Sequence, residues 1–381
     1  MKRKILIVVF SLLGLIVLLL LSGPLLVRFG IQPYYIQSDG KSIKLVRGTV
    51  DPHSFPTLES GIAPTMRKDA IPVIVDTDMA GDDWMAILYL LQRPDVNVIA
   101  ITVTGIGEAH CSPGIRHALD LVMLAGRPNI PVTCGHELPL IGNHAFPMEW
   151  RNRVDNLFNL SLPRNLNTPS NESAPELISH LFRESDQKIH IVALGPLTNI
   201  AEAFETDSSL NNNLKMLTIM GGSVNTRGNV GPTLNIENQY AEWNIYADPH
   251  AAKVVFEVVK PITLVPLDAT QYAPATMDFY KRMKDDRHTP AAEFVYRILT
   301  QIENNIRQGW YYFWDPFAAA VATDESLTKF QDFRLVVIEE EGPDSGRTIE
   351  SKDGQMIRVA TWADAARFEK LFLDTLNGRL P

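Results

Sequence analysis

Between Ile71 and Asp83 the chain reads Ile-Pro-Val-Ile-Val-Asp-Thr-Asp-Met-Ala-Gly-Asp-Asp, an apolar β-branched run that ends in Asp76, Asp78, Asp82 and Asp83. Acids at a helix start cap its free N–H groups and meet its positive dipole end, which would account for Asp82 and Asp83. Capping does not account for Asp76 and Asp78. Four carboxylates this close together at the end of a buried strand repel one another, and a hard cation held by oxygen ligands is the ordinary remedy. The cluster therefore predicts a metal centre at a strand end.

The elements that must carry this cluster follow from the hydrophobic pattern. Apolar, β-branched runs predict strands over 72–76, 96–103, 188–194, 216–220, 262–266 and 333–338. Helical spacing predicts helices over 82–92, 113–125, 174–184, 196–204, 249–259 and 291–307. Continuous apolar strands separated by helices imply an α/β fold: an open, mainly parallel, Rossmann-like sheet with helices on both faces. Ligands in such sheets sit beyond the carboxyl ends of the strands, where the aspartates lie.

Composition bounds the partners. With 381 residues, 45% of them hydrophobic, the chain can bury a substantial core. Its net charge of −9 argues against a nucleic-acid polymer, which is gripped by clustered Lys and Arg, and favours a small neutral or cationic substrate. The two cysteines, Cys111 and Cys134, provide neither a disulfide scaffold nor a thiolate zinc site, and are expected as free core thiols rather than as a mutual disulfide. Lys2, Arg3 and Lys4 precede an uncharged run over 5–27, long enough to cross a bilayer. Residues 1–27 are therefore expected to be a membrane anchor or signal segment, with an uncleaved anchor favoured. The positive flank would stay inside and the body would be periplasmic or extracellular, secreted if the segment is removed. Residues 28–70, rich in Pro, Gly and Ser, read as a linker or arm, and residues 71–381 as the catalytic domain.

Three known motifs can be laid on the aspartates. An EF-hand loop begun at Asp76 would place Gly81 correctly but would end on Ile87 where a bidentate Glu is needed. A magnesium phosphatase of the haloacid dehalogenase type also has a strand followed by Asp-x-Asp, yet it expects Thr or Val where Ala80 stands. The third match is broader. The segment resembles the inosine-uridine-preferring nucleoside hydrolase family, whose signature is a strand followed by Asp-x-Asp-x-Gly-x-Asp-Asp. Further family motifs come in order: Ala193-Leu-Gly-Pro-Leu-Thr-Asn-Ile-Ala201, Met220-Gly-Gly222, Gly228-Asn229, Ala241-Glu-Trp-Asn-Ile-Tyr-Ala-Asp-Pro249 and Asp315-Pro316. The resemblance runs from Ile71 to the C-terminus.

The resemblance implies a nucleoside hydrolase fold and hydrolysis of the N-glycosidic bond of ribonucleosides, dependent on Ca²⁺. It implies that Asp78, Asp83, Asp315 and the carbonyl of Leu194 hold the metal. Asp82, Asn229, Glu242, Asn244 and Asp315 would bind ribose, Asp78 would take a proton from the attacking water, and Asp76 would support the cluster. Family members are commonly homodimers or homotetramers. The chemistry suits the residues, because breaking the bond develops positive charge on the sugar and a bed of carboxylates stabilises it.

Three departures concern the leaving group and the ribose. Many members carry His immediately before the last metal-binding Asp, whereas this chain has Trp314, in the aromatic run Trp310-Tyr-Tyr-Phe-Trp314 that could stack a base and would slightly favour purines. After the second strand the family usually has Gly-Asn, and here Glu108 stands in place of the Asn, with His110 near enough to partner it or to act as an acid. The stretch from Asn229 to Glu242 is longer than usual and contains Asn235 and Asn238, so any of three asparagines could meet the ribose. Two other functions share these residues: a non-catalytic nucleoside or sugar sensor, and the phosphatase.

Overall fold

The computed structural model describes residues 58–380 and, ahead of them, the backbone of β1 (Tyr34–Ser38) and β2 (Ile43–Arg47). These two strands form an antiparallel hairpin in a unit of their own, Tyr34 opposite Arg47 and Ser38 opposite Ile43. The sequence predicts an irregular arm there; the β-favouring runs Tyr-Tyr-Ile-Gln-Ser and Ile-Lys-Leu-Val-Arg are obscured by their Pro- and Gly-rich surroundings. The expected membrane segment 1–27 lies outside the described residues. Among the described residues no helix is long and apolar enough to cross a membrane.

The second unit is built on a nine-stranded sheet. Its strands are β3 (Ile71–Thr77), β4 (Val96–Val103), β5 (Val132–Cys134), β6 (Ile189–Ala193), β7 (Leu214–Met220), β8 (Ile262–Val265), β9 (Thr328–Val337), β10 (Thr348–Glu350) and β11 (Gln355–Ala363). In space they run β10-β9-β11-β8-β7-β6-β3-β4-β5, with every pair from β11 to β5 parallel and β9 antiparallel to both of its neighbours. This is the predicted α/β class with an antiparallel edge. Strands β3 and β6 are apolar on both faces because helices cover both faces, which is why they read as continuous Val/Ile runs rather than alternating ones.

Differences from the expected elements have local causes. The short strands β5 and β10 carry too few residues to show a period. Strand β9, next to the edge, begins at Thr328 rather than at 333, its first half carrying exposed polar residues. The single helix expected over 291–307 is two, Pro290–Gln301 and Glu303–Arg307, with Ile302 between them. The sheet-bearing unit also reaches back before Ile71: Gly61 N–H donates to Leu124 O at 2.7 Å, and Arg67 N–H to Pro94 O at 2.8 Å.

Cys111 and Cys134, expected as free thiols, are joined in a disulfide with their Cα atoms 5.6 Å apart. Parallel pairing of β5 with β4 sets Cys134 opposite Val103, so the end of β5 arrives beside the loop that leads from β4 into the helix Cys111–Leu124. The bridge closes 23 residues of chain across that loop, a constraint that spacing alone does not reveal.

Candidate active site

Strand order reverses direction at β3, with β4 and β5 on one side and β6 to β8 on the other, and a crevice opens at such a switch point. Asp76, on the last turn of β3, is fully buried. Its Oδ2 accepts hydrogen bonds from Thr102 Oγ1 at 2.6 Å and Asn199 Nδ2 at 2.8 Å, which ties β3 to β4 and to the helix Thr198–Thr206. Burial pushes the Asp76 carboxyl up to about 7 against those two donors. Asp76 does not line the cavity, so the Asp-x-Asp pair that a phosphatase would present to its ligand is not presented here.

Beyond Thr77 the chain turns sharply at Met79, a buried residue with φ of 62°, a conformation that strains a side chain of this kind by about 1–3 kcal/mol. Thr77 Oγ1 holds the turn, accepting from Met79 N–H at 3.0 Å while donating to the Asp83 carboxylate. Asp78 is thereby brought under two peptides: Oδ1 accepts from Ala80 N–H at 3.4 Å and Oδ2 from Glu108 N–H at 3.1 Å. Glycines make the room. A Cβ on Gly107 would lie 2.1 Å from the Asp78 Cβ, and one on Gly195 2.8 Å from it.

Two helix starts converge on the same point. The helix Gly81–Leu91 carries Asp82 and Asp83 in its first turn, and the helix Trp314–Thr323 carries Asp315 in its first turn. One oxygen from each of Asp82, Asp83 and Asp315 can be chosen so that all three lie within 4.8 Å of one another. Burial, and then the charges of their neighbours, raise Asp83 and Asp315 well above the usual carboxylate range. Carboxylates packed this tightly cannot all ionise without a cation between them. Every donor is a hard oxygen and Leu194 lines the same cavity, so the set fits a hard, oxygen-seeking cation, the class to which Ca²⁺ belongs, and not a thiol- or imidazole-seeking metal. Asp78 stands outside this trio, and Ala80 N–H links the two, donating to Asp78 Oδ1 at 3.4 Å and to Asp83 Oδ2 at 3.1 Å.

On the side of β7, Glu242 caps the helix Trp243–Ala247. Its carboxylate accepts from Asn244 N–H at 3.0 Å, Ile245 N–H at 3.3 Å and Gly222 N–H at 2.9 Å, while burial pushes its carboxyl up to about 7. Asn244 Nδ2 donates to the carbonyls of Leu194 at 3.0 Å and Met220 at 3.2 Å, which locks the ends of β6 and β7 together. Asn229 lines the cavity and is held by Trp243 N–H on its Oδ1 at 3.2 Å. Asn235 is exposed, and Asn238 is buried in its own loop, where Nδ2 donates to Ser345 O at 2.7 Å. Of the three asparagines, only Asn229 is brought to the cavity.

The cavity encloses about 460 Å³, within the range that takes a small ligand. Asp78, Asp82, Asp83, Glu108, Leu194, Asn229, Glu242, Asn244, Trp314 and Asp315 all line it. Aromatic rings line it too: Trp314 meets Tyr311 with ring centroids 5.0 Å apart, and Trp310 stands 68% exposed. Phe313 points the other way, into the core, 5.0 Å from Phe279 and 5.5 Å from Phe368, and this anchor sets the direction of Trp314 and Asp315. His110 is not brought to the cavity. Its Nδ1 pairs with Asp155 Oδ2 at 2.7 Å and its N–H donates to Asp155 Oδ1 at 3.0 Å, so it fastens the start of the helix Cys111–Leu124 instead.

Sequence reasoning missed the segment 146–158, which contributes Phe146, Trp150, Arg153, Val154 and Phe158 to the wall. Its only signal was a set of aromatic residues in a polar stretch without period. Asn199 and Thr102 were missed as supports because each is legible only through the strand pairing that faces it to Asp76.

Comparison with known proteins agrees with this geometry. The family model described as inosine-uridine preferring nucleoside hydrolase matches residues 73–370. The chain is 37% identical over 198 residues to Uridine nucleosidase 1 of Arabidopsis thaliana, a match covering 52% of this chain but only 56% of that relative's length. It is 29% identical to Probable uridine nucleosidase 2 of the same plant, covering 81% of this chain and 98% of that one. Among solved structures it is similar to the Purine-Preferring Ribonucleoside Hydrolase from Gardnerella vaginalis, with a TM-score of 0.71, 27% identity, and coverage of 81% of this chain and 98% of that one.

Proposed function

The chain belongs to the inosine-uridine preferring nucleoside hydrolase family, and on that premise we propose that it hydrolyses ribonucleosides to ribose and free base with the help of Ca²⁺. The observation that carries this reading is the convergence of Asp78, Asp82, Asp83, Asp315, Glu242, Asn229, Asn244 and Leu194 on one cavity that is also lined by Trp310, Tyr311 and Trp314. Asp78, Asp83, Asp315 and the Leu194 carbonyl would hold the ion. When bound, Ca²⁺ supplies anchorage for ribose hydroxyls and a water of lowered pKa.

The remaining work falls to the chain's own groups. Asp82, Asn229, Glu242, Asn244 and Asp315 hydrogen-bond the ribose and fix its orientation, and Glu242 is held for this by three backbone N–H groups. Asp78, pinned by the peptides of Ala80 and Glu108, keeps free lone pairs with which to take the proton of the attacking water. Positive charge growing at C1′ faces this carboxylate bed, which stabilises the transition state more than the neutral nucleoside. The aromatic wall stacks the base. A purine covers more of Trp314 and Tyr311 than a pyrimidine does, so a modest purine preference is expected.

The reading of the body as lying outside the cytoplasm belongs to the same proposal. It is supported by the charge-flanked apolar run over 5–27 and by the Cys111–Cys134 disulfide, a bond at home in oxidising compartments.

The test is reducing-sugar release from inosine, adenosine, guanosine, uridine and cytidine, each with Ca²⁺ and with a chelator. Release that stops on chelation and returns with Ca²⁺ is expected. Tight nucleoside binding without release would identify a sensor instead.

A further inference from the structure

Cleavage of the C1′–N bond leaves both bonding electrons on the base, so the departing group is anionic unless something neutralises it. The cavity opposes that charge, because Asp78, Asp82, Asp83, Glu108, Glu242 and Asp315 all line it. Among the described residues Arg153 is the one Lys, Arg or His side chain on its wall. We propose that Arg153 stabilises the departing base, its guanidinium meeting negative charge on an exocyclic carbonyl oxygen such as that of a 6-oxopurine or of uracil. This inference rests on the N-glycosidase reading above.

The placement of Arg153 is built rather than incidental. It lies in the last turn of the helix Met148–Asp155, with its guanidinium carbon 4.3 Å from the centroid of the Phe158 ring and Nη2 donating to Gln301 O at 2.8 Å. Stacking on one face and a single hydrogen bond leave other edges of the planar fork available to a ligand oxygen. Phe158, the platform, sits in a run of three left-handed residues: Leu157 at φ 51°, Phe158 at 52° and Asn159 at 58°. Left-handed φ strains bulky side chains such as Leu157 and Phe158, and such strain persists only where the surroundings over-determine it. Those surroundings are the metal turn itself. The Phe158 ring centroid lies 5.0 Å from that of Trp84, and a Cβ on Gly81 would come within 2.9 Å of the ring. The cation is thus fixed directly to the segment that carries Asp82 and Asp83.

Arginine does not give up its proton in proteins, so its part is electrostatic. As the C1′–N bond breaks, the water oxygen bonds to C1′ and one water proton passes to Asp78. The base leaves with the electron pair against the guanidinium and takes a proton from solvent, while Asp78 returns its own proton to solvent, so that ribose and neutral base result. His110, held by Asp155, has no part in this step.

The experiment compares inosine with p-nitrophenyl riboside, whose leaving group is already a stable anion, in the full chain with Ca²⁺. Arg153→Met is expected to lower kcat/KM for inosine by about 30-fold and that for p-nitrophenyl riboside by less than about 3-fold, Arg153→Lys recovering part of the loss. Phe158→Leu, which removes the platform, is expected to give a smaller loss, again on inosine alone. Equal losses on both substrates, or none on either, overturn the proposal. If the unmutated protein cleaves neither substrate, the N-glycosidase reading fails separately and calorimetry decides for Arg153. Inosine binding about 10-fold tighter than purine riboside, with the difference erased by Arg153→Met, supports the assignment; equal affinities overturn it.

Discussion

The two ends of the cavity are built differently. At the sheet end Asp78, Asp83, Glu242, Asn244 and Asp315 are all at most 6% exposed, and they hang on strand ends and first helical turns. At the rim Arg153, Thr233, Asn305 and Trp310 are exposed and come from loops and short helices. The contrast separates two tasks. On the proposed reading, the buried end fixes charges that act on the sugar whatever base is attached, and the exposed end meets the part of the substrate that varies. A mutation at the sheet end should therefore cost the same factor for every nucleoside, and one at the rim should not.

The largest effect tests the first half of that statement. Asp78→Asn keeps the shape and removes the base, and is expected to lower kcat by at least about 10³-fold with equal losses on inosine and uridine. Steady-state kinetics on both substrates measures it. A loss that differs tenfold between the two bases would break the division, because Asp78 would then be sensing the leaving group.

Asn199→Leu is next. It removes one of the two donors to the buried Asp76 carboxylate without touching the cavity. Leaving such a group short of a partner costs about 1–3 kcal/mol, and thermal melts should fall accordingly. Since Asp76 governs the end of β3, kcat/KM is expected to fall about 10–100-fold, equally for all bases. The double variant Asp76→Asn with Asn199→Leu should regain part of the melting temperature, because the stranded charge is gone. An unchanged melting temperature in Asn199→Leu would show that the Asp76 staple carries no load.

The same division explains what the amino-acid sequence reveals. The sheet end was legible because its constraints are local. A Val/Ile strand feeding Asp78, a helix start at Asp82-Asp83 and a capping Glu242 each leave a signature within a few residues, and the parallel sheet follows from alternation of such units. The rim was not legible. Phe158, on which Arg153 stacks, sits in a run of three consecutive left-handed residues, which Leu-Phe in particular does not announce. His110 misled for the opposite reason: it stands two residues after Glu108 in the chain, but Asp155 captures it from a helix far along the sequence. The disulfide likewise needed the register of β5 on β4, which a three-residue strand hides.

At the exposed end, Trp314→Ala is expected to raise KM about 10-fold for purine nucleosides and less than about 3-fold for uridine, with kcat moving little, because stacking contributes about 1 kcal/mol and scales with ring overlap. Measuring KM for inosine and uridine checks it. Equal effects on both would make Trp314 a prop for Asp315, its neighbour in the same helical turn, and move it to the sheet end of the comparison.

Trp310 gives the smallest and most discriminating effect. Its ring is 68% exposed, so removing it takes away little packing and should leave the melting temperature within about 1 °C. If Trp310 is only part of an open rim, Trp310→Ala changes kcat/KM by less than about 3-fold for any base. If the loop carrying it folds over a bound nucleoside, the ring becomes buried in the complex and the same substitution costs about 10-fold or more, together with a lost fluorescence change on binding. The second outcome would sharpen the comparison rather than break it, since the exposed end would then be a closure that acts only once substrate has arrived.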